Sequence, residues 1–240
     1  GFAALASEVL SAGDTGLPLK SDFVPALLPR QVQSFAQAHD LPVSDAMVFL
    51  AVREAAVQRL YANHPWLRGE VSDAVARYAR GITFDQERIQ QAMSEIDPSQ
   101  PESLQELMSG GIFQPSTSPE QQRALERIEL LLALVEGWVG AVTEAAIDNR
   151  LPNTSALTET INRRRASGGP AEKTFANLVG LELRPRLVRT AQSFWAAVIA
   201  AKGADAHEAV WAHPDFLPDT DELSDPAGFL AGRELPLDEL

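Results

Sequence analysis

Cysteine is absent from the 240-residue chain. Neither a disulfide nor a thiolate-ligated zinc or iron site is therefore available, and a reducing cytoplasm is the expected location. Basic charge is in deficit: 20 Lys and Arg against 33 Asp and Glu give a formal charge of −13. Such a surface field repels phosphate backbones and anionic membranes, so neither nucleic acid nor a membrane is an expected partner. No run reaches the roughly 18 uninterrupted apolar residues of a membrane span; the longest are broken by Arg53 with Glu54 and by Glu136. The start, Gly1-Phe2-Ala3-Ala4-Leu5-Ala6, has no basic segment ahead of its apolar residues. It reads as the trimmed end of a longer chain rather than as a secretion signal.

What is present is ordinary globular composition, 45% hydrophobic and 22% charged, enough for one soluble domain over residues 1–240. The elements read as helices. Leu5, Val9 and Leu10 repeat at helical spacing up to Gly13, and residues 15–19 suit a short extended piece. A modest helix is expected over 31–38, and a longer one over 44–62 with Ser44 as its N-cap. Pro65 opens another that stops at Gly81, and 84–96 makes a further one. Ser118-Pro119-Glu120 starts a helix of about thirty residues, with cap, first-turn proline and acid in register. Helices over 154–166, 171–178 and 185–202 follow. Pro214, Pro218, Pro226 and Pro236 punctuate the end, and residues 215–240 hold eight acids against one base, Arg233. An irregular acidic tail on the surface is expected there, anchored by Phe216, Leu217, Phe229 and Leu230.

Two segments set the centre. Residues 46–57 are apolar except for Arg53 and Glu54, and residues 130–139 are apolar except for Glu136. Helices apolar all round are central ones, so the fold class is mainly α, with little or no sheet, around two long helices packed together. Gly137 and Gly140 remove side chains that would hold a neighbour away. A buried, unpaired carboxylate costs several kcal/mol, so Glu54 and Glu136 each need a cation, a metal or a proton. Arg53, on the same turn as Glu54, is the nearest candidate, and a salt bridge to Glu136 that Glu54 shares is the expected arrangement. Trp66 and Trp138 lie on apolar helix faces and are expected to be buried.

The blocks Arg53-Glu54-Ala55-Ala56-Val57, Pro65-Trp66-Leu67-Arg68, Leu134-Val135-Glu136-Gly137-Trp138-Val139, Gly168-Gly169-Pro170-Ala171-Glu172, Leu178 to Arg186, and Trp211-Ala212-His213-Pro214 resemble the actinobacterial zincin-like hydrolases. That family is a domain of unknown function, sometimes labelled as associated with deazaflavin coenzyme biosynthesis, and the resemblance runs from about residue 3 to 229. It implies a helical zincin-like domain, truncated at its N-terminus relative to the family. In better-equipped members the third-helix motif is similar to His-Glu-x-x-His, in which two imidazoles one turn apart bind zinc and the Glu polarises water. Carried over, Arg53 stands at the first His and Val57 at the second, while Glu54 matches the general base. Glu136 matches a third ligand, and Trp138 replaces a later His.

Valine has no lone pair, and arginine stays protonated and repels a dication. The resemblance therefore implies a degenerate site without metal or cofactor, in which Glu54 is a vestigial general base. The expected function is a non-catalytic pseudo-metallopeptidase, acting as a scaffold or as a binding module for a peptide or protein. Two enzyme readings stay open. One is a zinc-dependent hydrolase using Glu54 as base and Glu136 as ligand, with His213 or His207 from the tail. The other is a metal-free enzyme using Glu54 as base. Arg163-Arg164-Arg165 reads as a solvated helix end able to grip a phosphate or carboxylate, and His39 and His64 read as helix-end residues. Oligomeric state leaves no mark in the sequence.

Overall fold

The computed structural model describes residues 9–17, 24–81, 118–147, 150–166, 187–203 and 206–233. The expected helices over 84–96 and 171–178 lie outside these residues. Among them the chain is mainly helical, and its one extended feature is an antiparallel bridge between Ser11 and Leu27. The helices are α1 (Pro29–Ala38), α2 (Val43–Asn63), α3 (Pro65–Arg80), α4 (Pro119–Ile147), α5 (Thr154–Ala166) and α6 (Val188–Lys202). The short α7 (Ala206–Val210), α8 (Thr220–Ser224) and α9 (Pro226–Gly232) follow.

The hub is α4. Its start uses Ser118 Oγ as acceptor for the Gln121 N–H, while Gln121 Oε1 accepts from the Ser118 N–H, a reciprocal cap that satisfies two otherwise orphaned donors. Helices α6, α3 and α2 pack around it. By length and composition α4 would pass for a membrane span, but 67% of its most apolar window is buried inside the protein. It is the core helix of this fold. Gly137 works as its pattern suggests. A Cβ there would lie 2.8 Å from the Ala191 backbone, so the missing side chain lets α6, rather than α2, close onto α4.

The structure corrects several sequence expectations. Helix α2 is not buried all round: Val48 is half exposed, and Ala51 and Ala55 share its outer face. Small apolar side chains leave little area in water, so hydropathy alone overstates the burial of this helix. Its N-cap is Pro42, and the Ser44 hydroxyl donates to Asp45 instead. Val9 and Leu10 are not helical. They lead into a turn over 12–15, and of the extended piece expected at 15–19 the described residues 15–17 are turn and bend, with the Leu28 N–H donating to the Leu10 carbonyl and the Ala12 N–H to the Ala26 carbonyl. Trp138 is fully buried as expected, whereas Trp66 is half-buried and donates its indole N–H to the Trp211 carbonyl.

The tail also differs. Among the described residues, Pro226 opens α9 behind the Asp225 cap, and Asp219 with Glu222 forms a capping box for α8. Leu217, Leu223 and Phe229 join the main core, Phe229 meeting Phe194 edge-on at 5.0 Å. Phe216 and Leu230, the other expected anchors, are half-buried.

Candidate functional site

Glu54 and Glu136 are both buried, as expected of single acids in apolar runs. Arg53 Nη2 donates to Glu136 Oε1 at 2.5 Å, the charge-assisted pair expected for the one acid of the apolar α4 segment. A second guanidinium, Arg165 of α5, stands 3.5 Å from the other oxygen, Glu136 Oε2.

Glu54 does not share Arg53. Its Oε2 accepts from the Gly13 N–H at 2.8 Å, and its Oε1 accepts from the Ala26 N–H at 3.2 Å and from Gln58 Nε2 at 2.9 Å. Hydrogen-bond donors of the backbone and of Gln58 thus stand where the sequence assigned a cation. Gly13 can approach so closely because it has no side chain. A Cβ there would sit 2.7 Å from Val57 Cγ1 and 2.9 Å from Glu54 Oε2. Val57 thus packs against the turn that covers Glu54.

Asp14 follows in that turn and was missed by sequence reasoning. Arg164 grips it with both terminal nitrogens at 2.9 Å each, Arg165 Nη2 stands 3.4 Å away, and the Leu10 N–H donates to it at 2.8 Å. The basic triplet therefore divides. Arg163 faces water beside Glu159, while Arg164 and Arg165 turn inward onto a carboxylate of the protein itself. Three acids and three arginines, Asp14, Glu54, Glu136, Arg53, Arg164 and Arg165, balance in one cluster built from four parts of the chain. A Gly-Asp-x-Gly turn, with an Arg-Arg pair whose first member lies 150 residues further along the chain, was the only sequence signal.

The tail histidines lie elsewhere. His207 meets Trp138 edge-on at 5.7 Å, and Arg59 covers the same indole at 5.5 Å. Glu208 accepts from Arg59 and stands 3.4 Å from His64 Nε2 and 3.8 Å from His207 Nδ1. His213 pairs with Asp215 on the surface. Among the described residues, no three His, Cys, Asp or Glu side chains are grouped to hold a metal ion.

The electrostatics make a pH prediction. Burial pushes the Asp14 carboxyl up, but Arg165, Arg164 and the Leu10 N–H together hold it below its ordinary 3.8. The His64 hydrogen bond holds Glu208 below its ordinary 4.5 against partial burial, with Arg59 and His207 adding to it. Folded-state values below the unfolded ones mean stability that is complete above the unfolded pKa and lost as pH falls through the folded pKa. Acid unfolding is therefore expected to set in below the ordinary values of these two groups. Asp14→Asn is expected to be less stable than wild type at neutral pH but to lose less on acidification. Parallel acid profiles of the two proteins would contradict that.

In three dimensions the chain is similar to the crystal structure of a putative hydrolase with a novel fold from Chloroflexus aurantiacus. The TM-score is 0.62 at 21% identity, over 96% of this chain and 65% of that one. At that identity the likeness is one of fold, and the chain spans about 65% of the length of that protein. No curated protein matches the chain. A family model described as zincin-like metallopeptidase matches residues 1–230. Spanning nearly the whole helical core built around α4, that match places the chain in the zincin-like metallopeptidase family.

Proposed function

We propose that the chain is a non-catalytic member of that family, a degenerate zincin-like domain that serves as a scaffold or as a binding module for a peptide or protein segment. One observation carries the reading: Arg53 Nη2 lies 2.5 Å from Glu136 Oε1, so a fixed guanidinium neutralises the acid that matches a zinc ligand. The donor set does not fit zinc. A catalytic zinc needs about three protein ligands and an open position, and here Val57 offers no lone pair, Trp138 only an indole, and Arg53 a positive charge. Glu54, the residue matching the general base, already has both oxygens accepting hydrogen bonds. The hydrolase reading that borrows His207 or His213 is disfavoured by their positions beside Trp138 with Glu208, and beside Asp215.

The test is metal content with thermal stability. Elemental analysis of the purified protein is expected to find zinc far below one per chain, and a chelator is expected to leave the melting temperature unchanged. One zinc per chain, with a melting temperature that drops on chelation, would restore the metal-dependent hydrolase.

A further inference from the structure

Residues 10–17 are held against α2 and α5 largely by groups that any peptide could offer. The Gly13 N–H donates to Glu54, and the Gly16 carbonyl accepts from the Tyr61 hydroxyl at 2.7 Å. The one acidic side chain, Asp14, is gripped by Arg164 through two parallel bonds, the geometry in which guanidinium recognises carboxylate. Leu10 and Leu17 anchor the two ends, each in a different apolar cluster. Between them the chain is a turn without helix, and at Gly13 only a glycine clears Val57 and Glu54.

We propose that this cleft between α2, α4 and α5 is a recognition site for an acidic peptide segment, a glycine followed by a carboxylate with an apolar residue on either side, and that residues 10–17 fill it in cis. The proposal rests on reading the site as a binding site rather than a catalytic one. Glu54 serves as acceptor for the backbone amide, Arg164 and Arg165 as receptor for the carboxylate, and Tyr61 as donor to a carbonyl. A segment from a partner competes with the protein's own residues 10–17, so the closed form is an autoinhibited one.

The experiment uses the full chain with Asp14→Ala, which removes the internal carboxylate and leaves its receptor. The probes are a synthetic octapeptide of residues 10–17, the same peptide with asparagine in place of its aspartate, and acetate against chloride at equal ionic strength. The octapeptide is expected to bind the variant saturably and raise its melting temperature. It is expected to bind wild type about tenfold more weakly or worse, and the asparagine peptide is expected to bind the variant with a similar deficit, about 1.4 kcal/mol per factor of ten. Acetate, not chloride, is expected to raise the melting temperature of the variant. If Asp14→Ala does not fold, Asp14→Asn, which keeps the volume, takes its place in the same titrations. A folded variant that responds to neither octapeptide nor acetate overturns the proposal and leaves Asp14 a structural strut. Zinc measured on the same samples separates the two ideas: stoichiometric zinc defeats the non-catalytic reading, while absent peptide binding in zinc-free protein defeats only the role of residues 10–17.

Discussion

Truncating Arg53 to alanine is expected to destabilise the protein by about 3 to 5 kcal/mol, the loss typical when one partner of a buried ion pair is removed. The penalty comes from Glu136, a buried carboxylate that would lose its 2.5 Å partner. Arg165, 3.5 Å from the second oxygen, limits the loss, so the lower half of that range is the expected result. Glu54 is not part of this penalty, because its own hydrogen bonds come from Gly13, Ala26 and Gln58. Chemical denaturation of the variant measures it. A change under about 1 kcal/mol, the size found for exposed pairs, would show that the contact is not a buried one.

Glu54→Ala is the second large effect. Each buried donor left without an acceptor costs about 1 to 3 kcal/mol, and the buried Gly13 amide and Gln58 side-chain amide would both be stranded, for a loss of about 2 to 6 kcal/mol, to which the part-buried Ala26 amide adds less. Added to this is the void left against Val57 and Gly13. Because the Gly13 and Ala26 amides lie in the two segments joined by the Ser11–Leu27 bridge, the loss is expected to be local first. Hydrogen exchange should quicken at Gly13 and Ala26 while the amides of α4 stay protected. Uniform quickening throughout the chain would show that these segments unfold only with the whole molecule.

How much of this was legible follows from the kind of signal each feature leaves. A lone charge in an apolar helix is conspicuous, and its need for a counterion is chemistry, so Arg53 and Glu136 could be paired from the sequence. The partners of Glu54 could not. Backbone amides at positions 13 and 26 leave no trace in residue identity, and only the fold brings them 41 and 28 residues along the chain to the same carboxylate. Arg164 and Arg165 misled for a statistical reason: charges at a helix end are usually solvated and favoured by the helix dipole, and nothing local shows that Asp14 waits opposite. The tail misled because proline both ends helices and begins them. At Pro226, with Asp225 accepting from the Gly228 N–H at 3.0 Å, it begins one. Acids counted there as surface charge are in part N-caps. The helical class itself was the easiest to read, since the apolar runs over 46–57 and 130–139 are too long for strands.

The central claim is that Arg53 does for Glu136 what a metal ion does in a working zincin. A double-mutant cycle over Arg53→Met and Glu136→Gln tests it most directly, because it isolates the coupling between the two groups from the cost of changing either. Each single variant is expected to be destabilised, and the double variant, holding neither buried charge, is expected to recover part of the loss, with a coupling of about 2 kcal/mol or more. Losses that simply add, with no coupling, would contradict it.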